Sequence, residues 1–264
     1  MIRFLPCVAD TYITNKAIAS SNASDLRSVN SNVGLAGTLD LFKLYEETRA
    51  LGEGTGSIEL SRVLLKFDYS PLQEMLSHSL NVTDPSFRTF LKLNDVFGGQ
   101  PTPANFTLQV APLAKAFTEG RGMDVVGFRD LDVSNWLTAS FAGGVYTAWS
   151  SDGARASGSV GNTSVDYFVS GVINGTSSLL VCSQDFNMGS EDLSIDISVI
   201  SKGILRNEIP NNGLVLSFTP QEETDSVTRF AKRFFSRHSS KPLKHPRVEV
   251  HYDNSFVDQQ LNAF

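Results

Sequence analysis

Few side chains in this chain are placed to do chemistry, and their spacing limits what that chemistry can be. A hydrolytic or transfer site needs a nucleophile beside a base, a pair of carboxylates, a set of metal ligands or a glycine cradle for phosphate. The sequence has no GxSxG, GxGxxG, P-loop or HExxH pattern. Its four histidines, His78, His238, His245 and His251, are scattered, and three lie in an Arg/Lys-rich stretch where solvated or strand-face positions suit them. Cys7 and Cys182 form no CxxC and read as buried apolar thiols, so no metal and no cofactor is expected. The carboxylate neighbours Glu46-Glu47, Asp130-Asp132 and Glu222-Glu223 could act as acid and base across a sugar. Asp130 and Asp132 would share one face of a strand, a pattern that solubilising charges on a sheet edge also give. No catalytic residue is assigned, and the chain reads as a non-enzyme.

Aromatic and basic residues offer binding rather than catalysis. Trp136 and Trp149 lie in a glycine-rich region, where an indole can stack on a sugar, enter a partner's pocket or fill the core beneath the loops. Together with Tyr146 and Tyr167 they are the candidate contacts to a partner or a glycan. The stretch Arg229-Phe230-Ala231-Lys232-Arg233-Phe234-Phe235-Ser236-Arg237-His238 interleaves cations with aromatics. Such a run can mark a membrane or nucleic-acid patch. In a chain of net charge −6 the favoured reading is internal or intersubunit salt links.

The elements that must position these residues read as strands. The chain has 264 residues, 41% hydrophobic and 19% charged, with 18 Phe and abundant Ser, Thr, Asn and Gly. This composition favours sheets over helix bundles. Phe4 to Ile13, Gly37 to Tyr45, Phe87 to Val96, Phe106 to Leu113, Leu214 to Phe218 and Val248 to Tyr252 read as strands. In Ser61-Arg62-Val63-Leu64-Leu65-Lys66-Phe67-Asp68, residues Val63, Leu65 and Phe67 fall on one face and should share a core with Leu214, Leu216 and Phe218. Gly52 to Gly56 and Gly98 to Pro103 read as turns. Val165 to Ile173 and Ser178 to Cys182 form a hairpin around Asn174-Gly175, and Leu193 to Ile204 alternates as a further strand. One short helix is predicted over Pro71 to Leu80. The expected fold is all-β, a single antiparallel β-sandwich over residues 1–264, jelly-roll-like, with a loop-rich insertion at 136–192. No apolar run approaches the roughly 20 residues of a membrane span, and Met1 to Cys7 lacks the features of a signal peptide. Neither nucleic acid nor membrane is expected as a partner.

Four blocks in order resemble the DNRLRE-type β-sandwich modules of cell-wall and secreted proteins, which look like carbohydrate-binding jelly rolls. They are Ala9-Asp10-Thr11-Tyr12-Ile13; Asn32-Val33-Gly34; Ser61 to Asp68; and Asn211-Asn212-Gly213-Leu214 with Phe235-Ser236-Arg237-His238 before Pro246-Arg247-Val248-Glu249-Val250. Phe117-Thr118-Glu119-Gly120-Arg121-Gly122 ahead of Trp136 is similar to a further segment of that module. The module is shorter, which places the insertion at 136–192. The closing run Arg247 to Asn254, with Phe256 and Asp258, resembles the ends of structural proteins of large tailed phages, often cyanobacterial or marine.

These resemblances imply a virion structural protein made in the host cytoplasm: a neck, tail, baseplate accessory or capsid decoration bound to other virion proteins, as a homo-oligomer or symmetric array. The alternative is a carbohydrate-binding module for a host-surface glycan, and the third reading is a glycan-degrading enzyme. Arg62, Phe67, Asp68 and Arg237 are expected to be structural, the two arginines bonding to carboxylates or carbonyls near strand ends.

Overall fold

The structure is a computed structural model that describes residues 1–18, 26–46, 57–77, 80–97, 103–131 and 133–253. Glu47, the turn at 52–56, His78, residues 98–102, Asp132, Asn254, Phe256 and Asp258 lie outside the described residues.

In chain order the first strands are β1 (Ile2–Thr14), β2 (Ala17–Ile18), β3 (Leu26–Arg27), β4 (Thr38–Tyr45), β5 (Ile58–Phe67), β6 (Arg88–Leu93), β7 (Phe106–Pro112) and β8 (Thr138–Ala142). There follow β9 (Val145–Ala148), β10 (Ser157–Ser159), β11 (Tyr167–Ile173), β12 (Thr176–Leu179), β13 (Cys182–Phe186), β14 (Leu193–Asp196), β15 (Leu214–Phe218), β16 (Arg229–Phe235) and β17 (Arg247–His251). Helices α1 (Ser70–Met75), α2 (Ser198–Leu205) and α3 (Pro220–Thr224) complete the fold, with a 3-10 turn at Pro242–Lys244.

The main sheet is antiparallel, in the order β13-β7-β15-β5-β1-β17-β6-β14, with β16 joined through β4 to β5. β1 serves two layers: Ile2–Pro6 pair with β17, and Cys7–Thr14 pair with β5 after a register shift between Cys7 and Ala9. A bulge bends and twists its strand, which is how the sheet turns this corner. The far edges meet through one side chain. Gln184 Oε1 accepts the Ser194 N–H at 2.7 Å, and its Nε2 donates to the Asp192 carbonyl at 3.0 Å. A side-chain amide has a peptide's donor and acceptor, so Gln184 continues the ladder between β13 and β14.

Val63, Leu65 and Phe67 lie in one core with Leu214, Leu216 and Phe218, as their alternation predicts. The opposite face of the same strands is buried too. Leu60, Leu64, Ala111, Leu113 and Val215 form a second core with Trp136, Ala139, Trp149, Ala154 and Tyr167. Strands covered on both faces explain the near-continuous apolar runs of β5, β7 and β15.

The segment 136–192 builds much of that second core. The segment supplies β13, which pairs with β7 as the last strand of the main sheet, and it covers the outer face of β5, β7 and β15. It also sends Val165, Phe168, Ile173, Leu180 and Phe186 into the first core. Its Gly and Ser content reflects tight turns, not a loose loop.

Helices are also more numerous than the single one expected. α1 stops at Met75, short of Leu80. The alternating run after Leu193 is a strand only to Asp196; Ile200 and Ile204 then occupy one buried side of α2 at a spacing of four. α3 carries a capping box in which Thr219 and Glu222 exchange side-chain and backbone bonds. The hairpin at Asn174-Gly175 is found between β11 and β12, with φ of 51° and 75° at the two turn residues, as a primed turn requires.

Phe67 is 1% exposed, so Phe67→Ala should cost about 3–5 kcal/mol in urea unfolding; a loss under about 1 kcal/mol would contradict this packing. Replacing 136–192 by a short Gly/Ser link should abolish cooperative unfolding, because it bares one face of β5, β7 and β15. A link-replaced protein that still melts sharply would show the covering layer to be dispensable.

Candidate functional site

Four segments far apart in sequence, around Asp10, Asn32, Glu119 and Arg237, meet at one place. Glu119 is its centre. Its Oε1 accepts the backbone N–H of Asp10 at 2.8 Å and Arg237 Nε at 2.6 Å, and lies 3.3 Å from His238 Nε2. Its Oε2 accepts the second guanidinium bond from Arg237. The Arg237 backbone N–H in turn donates to Asp10 Oδ2 at 2.7 Å. β1, the segment after β7 and the segment after β16 are thereby tied by one carboxylate.

Asn32 extends the clasp. Its Nδ2 donates to the carbonyls of Glu119 and Ser134 at 2.6 and 2.8 Å, and its Oδ1 accepts the N–H groups of Gly34 and Gly122, each at 3.0 Å. All four capacities of a fully buried amide are used. The surrounding glycines are needed for approach: a Cβ at Gly122 would stand 1.8 Å from the Asn32 carbonyl, and one at Gly34 would stand 2.2 Å from that of Glu119.

Asp10, Glu119 and His238 offer ligand atoms within 4.8 Å of one another. The Arg237 guanidinium, however, engages both Glu119 oxygens and puts a fixed positive charge where a cation would be received. Asp10 is 1% exposed, its Oδ1 has no bonding partner among the described residues, and burial, with Glu119 adding to it, lifts its carboxyl to about 7.

Arg62 and Arg237 are each held by a carboxylate. Arg62 leaves β5 on its second buried face, donates from Nε and NH2 to the two Glu223 oxygens at 2.9 and 2.5 Å, and donates from NH1 to the Ala154 carbonyl at 2.6 Å. Its guanidinium lies 5.8 Å from the Tyr167 ring centre. α3 exists at this spot to deliver Glu223. Phe67 is core, as expected. Asp68 is exposed, and its Oδ1 accepts from Ser70 N and Oγ at the start of α1.

The basic run is spent inside the molecule. Lys232, its side chain wholly buried, donates to Asp95 Oδ1 at 2.5 Å and to the carbonyls of Gly189 and Glu191 at 2.7 and 2.9 Å. Arg229 is paired with Asp225, and Arg233 with Asp40.

The proposed contact residues need correction. Trp136, Trp149 and Tyr167 are 4%, 5% and 4% exposed, in the second core. Trp149 donates its indole N–H to the Asn135 carbonyl at 2.9 Å, and the ring of Trp136 sits where a Cβ on Gly153 would clash at 2.4 Å. None of the three can stack on a ligand. Of the four, Tyr146 alone stands out, on β9, packed on Phe141 at 4.5 Å between ring centres. Both thiols are free, and burial pushes Cys7 and Cys182 up from the ordinary range. Of the carboxylate pairs, Glu222 caps α3 and Glu223 holds Arg62.

Comparison with family models and with the curated proteins finds no match. The structure brings Asp10, Asn32, Gly34, Glu119, Gly120, Gly122, Arg237 and His238 into one cluster. No local pattern in the sequence marks Asp10, Glu119 or Asn32 for this role.

Glu223→Gln should cost about 3–5 kcal/mol, by leaving the buried Arg62 without its counter-charge; an unchanged urea midpoint would show the pair to be dispensable. Asp10 gives a pH signature. A carboxyl at about 7 when folded and near 3.8 when unfolded keeps its proton in the fold, so its contribution to stability falls as pH rises from about 4 to about 7. Asp10→Asn should gain on the wild type across that window, by roughly 2–4 kcal/mol at its upper end. Parallel stability curves for the two proteins from pH 4 to 8 would refute it.

Proposed function

We propose that the protein is a structural subunit of a tailed-phage virion, a neck, tail, baseplate accessory or capsid decoration, acting through contacts with other virion proteins in a symmetric array. The observation that carries this reading is the inversion of its aromatic and apolar side chains. The indoles that would suit a glycan platform face inward from the covering layer, while large apolar side chains stand out on hairpins and loops. Val145 and Tyr146 project from β9, Val172 and Leu179 from β11 and β12, and Met123, Val126 and Phe128 from the loop after Gly122, all more than half exposed. Apolar groups at this density on projecting segments suit protein interfaces. The similarity of the closing run to phage structural proteins supplies the virion setting.

One observation favours the carbohydrate-binding alternative. An open groove of about 580 Å³ is lined by Asn174, Ser178, Asp196 and Ser198 beside Arg88 and Lys202. Converging hydroxyl, amide and carboxylate groups suit a sugar, but Asp196 already holds Arg88 at 2.6 Å and no aromatic side chain lines the groove. The interface reading therefore ranks first.

The test is fractionation of lysates that contain assembled particles, followed by cross-linking mass spectrometry. The protein should co-sediment with particles and cross-link to other virion proteins through the segments around Tyr146, Leu179 and Phe128. Recovery only in the soluble fraction, with retention on a glycan array, would replace this reading by the alternative.

A further inference from the structure

A second, smaller groove lies between β1, β4 and β16. It encloses about 170 Å³ and is walled by Tyr12, Phe42, Val125 and Phe230, with Lys16, Asp40 and Arg233 at its edges. The pairing of β16 with β4 slips between Arg229 and Lys232. Bulges re-aim side chains, and Phe230, inside this one, is 54% exposed while Phe234 further along the strand is fully buried.

The polar groups of this groove are arranged to donate. Arg233 contacts Asp40 through Nε alone, at 3.2 and 3.1 Å, so its terminal nitrogens have no bond among the described residues. Lys16 lies over the Phe42 ring at 5.8 Å and has no carboxylate partner among the described residues. Burial pushes the Tyr12 hydroxyl well above its ordinary range, so it keeps its proton as a donor. The nearby acid Asp124 is engaged by the N–H groups of Val126 and Gly127 in its own turn. Aromatic walls with an excess of donors call for a ligand that carries an apolar ring next to a carboxylate.

We infer that this groove is a docking site for the C-terminal segment of a neighbouring copy, with Phe256 seated between Phe42 and Phe230 and Asp258 facing Lys16 and Arg233. The inference rests on the subunit reading above and names its contact. The sequence from Asp253 onward, Asp-Asn-Ser-Phe-Val-Asp-Gln-Gln-Leu-Asn-Ala-Phe, carries two acidic and no basic side chains. It starts at the far end of β1: the Tyr252 N–H bonds to the Met1 carbonyl and the Asp253 N–H to Ser86. Tyr12 is ten residues along β1 from Ile2, the partner of His251, or about 30 Å of strand. Phe256 reaches only about 10 Å beyond Asp253. Even with the bend at the Cys7–Ala9 bulge, a chain cannot fill its own groove in this way, and the contact is heterologous. Such head-to-tail contacts build rings or open arrays.

The test uses the full chain and two exposed-site variants, Phe230→Ser in the groove and Phe256→Ala in the tail. Sedimentation velocity should show concentration-dependent self-association of the wild type, weakened at least ten-fold in either variant. Mixing the variants should restore a single heterodimeric contact, because one brings an intact groove and the other an intact tail. A labelled synthetic peptide of residues 253–264 should bind the Phe256→Ala protein and lose at least ten-fold in affinity for the Phe230→Ser protein. Absence of peptide binding to folded protein, indifference of binding to Phe230→Ser, or failure of the two variants to complement would overturn the inference. Binding of an acidic oligosaccharide in the same groove, with no peptide binding, would overturn it in favour of a glycan. Particle association measured by fractionation is independent of all these outcomes, so failure here leaves the subunit reading to be judged by its own test.

Discussion

Glu119 is the constraint from which the rest of the fold is organised. One carboxylate accepts from the Asp10 backbone and twice from the Arg237 side chain, with His238 beside it, on segments separated by more than a hundred residues. Charge-assisted bidentate bonds are directional as well as strong. They fix not only that these segments meet but how β1 is oriented toward the segment after β16. The corner in β1, where it leaves β17 for β5, lies directly before Asp10. A sheet that must bend there needs an anchor on the far side of the bend, and the bond from the Asp10 N–H to Glu119 is that anchor.

The second organising fact is that β5, β7 and β15 have no solvent face. A strand buried on both sides must place every residue, including the charged ones, against protein. Arg62 occurs in the middle of such a strand, and the fold answers with a five-residue helix whose buried Glu223 meets it with two parallel bonds. The covering layer then closes over the pair through the Ala154 carbonyl. Inside that layer Asp166, wholly buried, accepts the N–H groups of Ser150, Ser151 and Ala156 and holds Lys115 at 3.2 Å. An irregular segment rich in Gly and Ser can form a wall of the core because a carboxylate takes up the backbone donors that a regular strand would have paired.

Alternation made most of the main strands legible in the sequence: β4, β5, β7, β15 and β17 lie within a residue or three of where their patterns place them. The covering layer was not legible, since composition counts side chains and says nothing of which carboxylate will satisfy a turn. α2 was hidden because Ile197 and Val199 continue the period of two set by Leu193 and Ile195, while Ile200 and Ile204 follow the helical spacing of four, and packing against β6 and β11 decides between them. α3 had a signal that could have been read, Thr219-Pro220-Gln221-Glu222, a capping box with proline at the first helical position. At the clasp, the blocks were visible as patterns. The role of Glu119 was not, because a residue that bonds segments far apart in the chain has no local periodicity to mark it.

Burial of both tryptophans bears on where recognition can take place. Within the described structure, the cations of β16 and of the segment after it are matched by Asp225, Asp95, Asp40 and Glu119, and the large aromatic anchors of the covering layer are packed against β5 and β15. Beyond these internal pairings, apolar side chains stand out on projections: the Phe141–Tyr146 pair on the β8–β9 hairpin, Val172 near the Asn174-Gly175 turn, and Phe230 turned out by its bulge. A body whose exposed apolar side chains include those of hairpins, loops and one bulge is better suited to contact with another chain than to enclosing a small molecule. It has several places at which a neighbouring chain can bury a ring, and this distribution of side chains, more than any single motif, is the physical ground for reading the protein as one that acts through contact.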